Sequence, residues 1–334
     1  MPVLTIGGIP VSFPFTPYKC QEDYMAQVID CLNLGKNGIL ESPTGTGKTL
    51  CLLCATLAWR EHQVGQHVRQ REQQNSCTAI SWSPRNQTLP VTGGVGNIPK
   101  IIYSSRTHSQ LSQAMNELKN ASYKPRVCVL GSREQLCIHP DVVKQESNHA
   151  KVWNNRLVHL CRAKTTSRSC FYYNNVEVYC SLRASQRLAG RIMDVEELVK
   201  KGKKHQVCPY FMTQELKHDA DIIFMPYNYL LDTKSRRAHS IDLSGKIVIF
   251  DEAHNVERLC ENAASFDLTP FELASSIDAV SHFLQMKSRT QTVLHDVSIE
   301  DVANIKQLLL NLEREIDLVE LPRGGSITKQ GRYV

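Results

Sequence analysis

Ser42-Pro43-Thr44-Gly45-Thr46-Gly47-Lys48-Thr49 follows the apolar run Gly38-Ile39-Leu40 and precedes Leu50-Cys51-Leu52-Leu53-Cys54-Ala55-Thr56-Leu57-Ala58-Trp59, a stretch suited to a buried helix. A strand that turns through glycines into a helix start presents successive backbone N–H groups and the positive end of a helix dipole, which an oligophosphate needs. The stretch reads as a P-loop whose first place is held by Ser42 where the usual pattern has glycine. Gly45 and Gly47 let the backbone curl around phosphates without a Cβ in the way. Lys48 supplies a mobile cation for the β- and γ-phosphates, and the Thr49 hydroxyl suits Mg²⁺. Pro43, Thr44 and Thr46 complete the cradle. The bland alternative is an ordinary glycine-rich turn between a strand and a helix.

A second motif far downstream weighs against that alternative. Lys246-Ile247-Val248-Ile249-Phe250 reads as a strand buried on both faces, and it delivers Asp251-Glu252-Ala253-His254 to its carboxyl end, where ligands sit in a doubly wound sheet. Asp251 is suited to hold Mg²⁺, directly or through water, and Glu252 to accept a proton from water attacking a γ-phosphate. The pair describes ATP hydrolysis with ATP and Mg²⁺ bound. His254 is placed to report nucleotide state, although a packed histidine looks the same. Upstream, Gln21 at a helix start can both donate and accept, as reading an adenine edge requires; a helix-start polar residue has the same appearance.

The composition is that of a soluble globular protein, with 42% hydrophobic and 22% charged residues over 334 positions. No apolar run approaches the roughly 20 residues a bilayer span needs, and the N-terminus lacks a secretory signal. No membrane partner is expected, and the chain reads as intracellular. Twelve cysteines in such a compartment point to metal ligation or plain burial, not disulfides. The net charge of +6 is uneven: Lys119 to Cys208 holds 17 Lys and Arg against 7 Asp and Glu, which points to a polyanionic partner.

Taken in order, residues 2–17 read as a short edge strand and loop, Glu22 to Leu34 as a helix, and residues 62–97 as a flexible insertion. Ile98 to Ser104 reads as a buried strand. Arg106, Thr107 and His108 follow at its end; they fit contacts to a sugar-phosphate backbone, or a capped helix start. Another strand runs from Arg126 to Gly131. Between Cys137 and Cys208 there is little apolar periodicity, much positive charge and five cysteines, so something other than a core must hold the segment. The residues leave zinc, an iron–sulfur cluster and unligated thiols all open, though the short Cys pairs of structural zinc sites are absent. Cys51, Cys54 and Cys128 sit in apolar patterns and are expected in the core. Strands resume at Ala220 to Met225 and at Lys246 to Phe250, and helices follow from about Leu259.

Ser42 to Thr49, Ser104-Ser-Arg-Thr-His-Ser-Gln-Leu111 and Asp251 to His254 resemble motifs I, Ia and II of superfamily 2 helicases. With the cysteine-rich insert, and with Gly131 to Cys137, Val207 to Tyr210 and Phe224 to Leu231, the chain is similar to the iron–sulfur branch typified by the xeroderma pigmentosum group D helicase. The resemblance implies a RecA-like α/β P-loop domain with a parallel sheet and helices on both faces, assembled from residues 1–127 and 209–258. An iron–sulfur insert at 128–208 interrupts it, and a helical arch domain begins at 259–334. It further implies a [4Fe–4S] cluster on Cys137, Cys161, Cys170 and Cys208, with Cys180 as a fifth thiol that spacing alone does not set aside. Gln21 would contact adenine. The implied activity is 5′-to-3′ movement on single-stranded DNA and unwinding of branched DNA in the nucleus, in DNA repair and telomere maintenance. Such motors need a second RecA-like domain, so residues 1–334 alone are expected to bind ATP weakly and unwind nothing. The competing expectation is an ATP-dependent switch or scaffold that binds DNA without separating strands.

Overall fold

The computed structural model describes residues 2–77, 98–143, 150–181, 192–289 and 298–319. The chain divides into a unit of residues 1–264 and a unit of residues 265–334. The first opens with a hairpin, β1 (Val3–Ile6) and β2 (Ile9–Ser12), where a single edge strand is expected. Gly7 and Gly8 explain the difference: both have positive φ, at 56° and 78°, as a two-residue hairpin turn demands. Then come α1 (Lys19–Leu34), the P-loop, α2 (Lys48–Cys77), β3 (Ile101–Ser105), α3 (His108–Asn120) and β4 (Val127–Val129). The cysteine-rich stretch forms α4 (Arg133–Leu136), α5 (Pro140–Val143), α6 (Ala150–Thr166), α7 (Phe171–Ser181) and α8 (Val195–His205). After α9 (Pro209–Asp219) the chain returns through β5 (Ile222–Pro226), α10 (Tyr227–Leu231), α11 (Thr233–Ala238), β6 (Ile247–Phe250), a 3₁₀ turn at Ala253–Asn255 and α12 (Val256–Ala264). In the second unit α13 (Pro270–Arg289) and α14 (Ile299–Asp317) pack on each other, with no residue of α14 buried.

The main sheet is parallel in the order β4-β5-β3-β6. Its two central strands are buried along their whole length, and alternate residues serve opposite faces. Ile101, Tyr103, Ile222 and Phe224 join the core that takes in α1, α2 and α3, whereas Ile102, Ile223, Met225 and Cys128 pack with Tyr229 and Leu230 of α10. Helices therefore cover both faces of the sheet, and the expected RecA-like α/β class is the one observed. Cys51, Cys54 and Cys128 are core residues, as expected.

Four expectations need correction. Residues 36–43 form no strand: Ile39 is fully exposed, and the segment pairs with none of the four strands, so its short apolar run has no neighbour to complete a ladder. β6 is an edge strand and only partly buried, because β3 flanks it on one side alone. The supposed loop from His62 is helical up to Cys77; its Gln, Glu and Arg residues carry adequate helix propensity, and extending a helix that already has a buried N-terminal half needs no new nucleation. The expected flexible residues 78–97 lie outside the described residues. Finally, the insert does share a core with the sheet, through Val176, Leu198 and Val207. No described helix is long and apolar enough to cross a membrane.

Candidate functional site

Lys48 opens α2, so the free N–H groups of its first turn face the curled residues 42–47. Gly45 and Gly47 hold φ of 82° and 71°, which side chains rarely tolerate. The Thr46 hydroxyl donates to the Pro43 carbonyl at 2.8 Å and shares a 2.7 Å hydrogen bond with Ser42 Oγ. Lys48 Nζ donates to the Ser42 and Pro43 carbonyls at 3.0 and 3.3 Å. Gln21 braces the loop from behind: its Nε2 donates to the Thr46 carbonyl at 2.9 Å, and its Oε1 accepts from the Tyr18 amide at 2.9 Å. It is buried, and its amide closes the capping box of α1. These are the contacts of a helix-start residue that also touches the phosphate loop.

Facing this loop is the end of β6. The Asp251 amide donates to the Ser104 carbonyl at 2.9 Å, which continues the β6–β3 ladder by one residue, and the Tyr227 hydroxyl donates to the Asp251 carbonyl. Thr49, Asp251, Glu252 and His254 line one cleft of about 300 Å³, open to solvent, together with Arg106 and Gln113. Sites separated by most of the unit's sequence thus meet. Burial pushes the Asp251 carboxyl above its ordinary value; the Tyr103 hydroxyl and the Lys48 charge pull the other way, and neighbouring Glu252 adds to the rise. Glu252 has φ of 57°, a left-handed conformation that non-glycine residues adopt at a cost. Its Oε2 lies 3.4 Å from His254 Nδ1, and His254 Nε2 is 2.9 Å from Asn255 Nδ2.

The expected backbone-contact cluster divides. Thr107 caps α3, its hydroxyl accepting from the Gln110 amide at 3.3 Å. Arg106 is exposed and belongs to the cleft of Asp251 and Glu252. His108 is half-buried, with an Nδ1 that has no partner, and burial lowers its pKa.

The four cysteines singled out by resemblance come together. Cys137 caps the end of α4, Cys161 lies on α6, Cys170 precedes α7 and Cys208 caps the start of α9; all four line one small pocket, of about 20 Å³, with His139, Lys164 and Tyr172. The backbone ties these supports to one another: the Cys208 amide donates to the Tyr172 carbonyl at 2.9 Å and the Cys137 amide to the Arg133 carbonyl at 2.8 Å. Burial pushes the Cys208 thiol up to about 12 and raises Cys137, and neighbouring sulfurs add to both shifts. Among the described residues no three His, Cys, Asp or Glu side chains converge closely enough to hold a single ion; the sulfurs ring a space instead. Cys180 lies outside that ring and packs against the main core. Tyr172 and Tyr173 fill space here, edge-on to His139 and Phe211 respectively.

A family model described as DEAD_2 matches residues 103–273, more than half of the chain, from β3 through both halves of the cysteine ring to beyond Asp251. The chain belongs to the DEAD_2 family. Among curated proteins, this DEAD_2 chain is 54% identical over 356 residues to regulator of telomere elongation helicase 1 of Bos taurus and 53% identical over 357 residues to that of Homo sapiens. Both matches take in 100% of the chain and 28% of the relative, so the chain spans little more than a quarter of their length. The homolog of Culex quinquefasciatus is 43% identical over 366 residues, covering 36% of that protein. A solved structure titled XPD_Helicase superposes with a TM-score of 0.47 at 18% identity, over 89% of this chain and 48% of that one.

Three residues of the DEAD_2 site escaped the sequence reading. Tyr24, Tyr103 and Tyr227 all sense the Asp251 charge, and burial raises each of their pKa values, that of Tyr24 to about 12. Nothing in the sequence marks them. Tyr103 and Tyr227 sit in or beside strand patterns, and Tyr24 lies on an amphipathic helix, where an aromatic residue reads as core.

Proposed function

We propose that this DEAD_2 chain is the nucleotide-hydrolysing half of an ATP-dependent DNA helicase that moves 5′ to 3′ on single-stranded DNA and opens branched substrates. The observation that carries the reading is the meeting of Lys48 and Thr49, at the start of α2, with Asp251 and Glu252 across one cleft. In that arrangement Lys48 and the N–H groups of residues 45–49 bind the β- and γ-phosphates, and Glu252 accepts the proton of the attacking water. Thr49 and Asp251 would hold Mg²⁺, which would supply charge neutralisation to the bound phosphates. His254, hydrogen-bonded to Asn255 and beside Glu252, keeps the base oriented.

Cys137, Cys161, Cys170 and Cys208 would ligate a [4Fe–4S] cluster. Thiolates are the ligands such clusters use, four sulfurs complete one cubane, and the short Cys pairs of structural zinc sites are absent from the sequence. Its part here is to brace the insert against the sheet. The basic surface of the insert suits the DNA backbone, with Arg106 linking the DNA side to the nucleotide cleft. The relatives' name, with its telomere, supports action in the nucleus on telomeres and in repair. The test is DNA-stimulated ATPase and strand separation by the full-length protein. Lys48→Ala is expected to abolish both; ATP turnover indifferent to DNA, or strand separation surviving that change, would favour a switch or scaffold instead.

A further inference from the structure

Tyr103 occupies the middle of β3 and is wholly buried, yet its hydroxyl has no hydrogen-bond partner. Leaving a buried hydroxyl unpaired disfavours the fold, whereas phenylalanine would fill the same space without that penalty. The hydroxyl lies near the Asp251 carboxylate and the Thr49 side chain, with Tyr227 also close, yet it completes a hydrogen bond with none of them. Asp251 and Thr49 are the two side chains assigned above to magnesium. Its placement is rigid. Tyr103 pairs with Ile249 in the β3–β6 register, the neighbouring Ser104 carbonyl accepts from the Asp251 amide, and the Phe224 ring packs at 5.2 Å on its other side. Tyr227 fixes the Asp251 carbonyl from below. The Asp251 main chain is thus held at two points, and the Tyr103 hydroxyl is the side-chain hydroxyl that acts most strongly on its carboxylate.

We infer that Tyr103 is a positioning residue of the magnesium site: its Oη donates to the Asp251 carboxylate and holds that group in the orientation a bound magnesium ion would need. The inference rests on the proposed nucleotide reading and deepens it. A carboxylate that ligates metal is itself ordinarily hydrogen-bonded, and loss of that partner weakens metal binding by about 10–100-fold.

The experiment is a Mg²⁺ titration of fluorescent ATP-analogue binding by the full-length protein, wild type against Tyr103→Phe, with melting temperatures alongside. The half-saturating Mg²⁺ concentration is expected to rise about 10–100-fold, with affinity in EDTA unchanged and the melting temperature equal or higher, since an unpaired hydroxyl has been removed. Adding Tyr103→Phe to Asp251→Asn should then have no further effect. Half-saturation within about twofold of wild type, or a fall in melting temperature that marks the hydroxyl as a structural partner, would overturn the inference. If Asp251→Asn shifts the titration and Tyr103→Phe does not, this inference alone falls. If wild-type binding ignores Mg²⁺ altogether, the proposed nucleotide site falls with it.

Discussion

Glu252 carries a left-handed backbone at the one place where the cleft needs a carboxylate, and Asp221 shows how differently a buried acid can be used. Glutamine makes the same backbone demand as glutamate, so Glu252→Gln should leave thermal stability unchanged while lowering ATP turnover by about 10²–10⁴-fold, read as kcat with KM little altered. Asp221, at the opposite end of the strands, accepts from Arg60 Nη2 and Arg126 Nη2 at 2.8 Å and from the Arg126 amide at 2.8 Å. Burial raises its pKa, but the Arg126 hydrogen bonds and the Arg60 charge outweigh burial and hold it below 3.8. A depressed native pKa means the stabilisation is fully present above the unfolded value, near pH 4, and is lost as pH falls through the native value. Asp221→Asn should therefore lower the urea midpoint at pH 7 by an amount equivalent to about 3 kcal/mol, and that deficit should shrink below about pH 4. At this scale the sequence was readable where chemistry and spacing coincide, as at Lys48, Thr49, Asp251 and Glu252. It was silent about Tyr103 and Asp221, whose partners lie on other strands and helices and leave no local pattern.

Gly202 governs how the insert meets the sheet. It lies buried inside α8, and a Cβ there would sit 2.4 Å from Pro209 Cγ and 2.8 Å from the Val207 carbonyl. The basic run Lys200-Lys201-Gly202-Lys203-Lys204 is accordingly a helix packed through its glycine, with Lys200, Lys203 and Lys204 exposed around it. Gly202→Ala forces α8 away from the start of α9, where Cys208 stands; it should destabilise the protein by about 1–3 kcal/mol in chemical unfolding and reduce iron retention on purification. Elements with strong periodicity, β3, β5 and α1, were legible. The half-helix beyond His62 was hidden by its polarity, since helical continuation depends on what precedes it. The strand before the P-loop failed to appear because a strand exists only with a neighbour, and no window of sequence shows the neighbour.

Across the first unit the insert and the sheet share one continuous core, so they should stand or fall together. Cys137→Ser and Cys170→Ser are each expected to lose most of the iron and acid-labile sulfide and to lower the melting temperature of the whole unit, whereas Cys180→Ser retains about four iron atoms per chain. Equal iron loss in all three variants would reject the assignment of ligands. The expected boundary at residue 258 falls six residues before the observed division after Ala264, because α12 packs with the first unit, against α10. Composition could place the basic insert but not its merger with the core, since Val176, Leu198 and Val207 are isolated apolar residues in a charged stretch.

The strand order has a consequence for synthesis. β5 lies between β4 and β3 and pairs with both, although the whole insert separates it from them in the chain. While the polypeptide grows on the ribosome, β3 and β4 therefore have no partner until Ile222–Pro226 has emerged. All four cysteines proposed to bind iron are translated before the sheet can close, and the nascent chain must keep its apolar strands from other company for that interval.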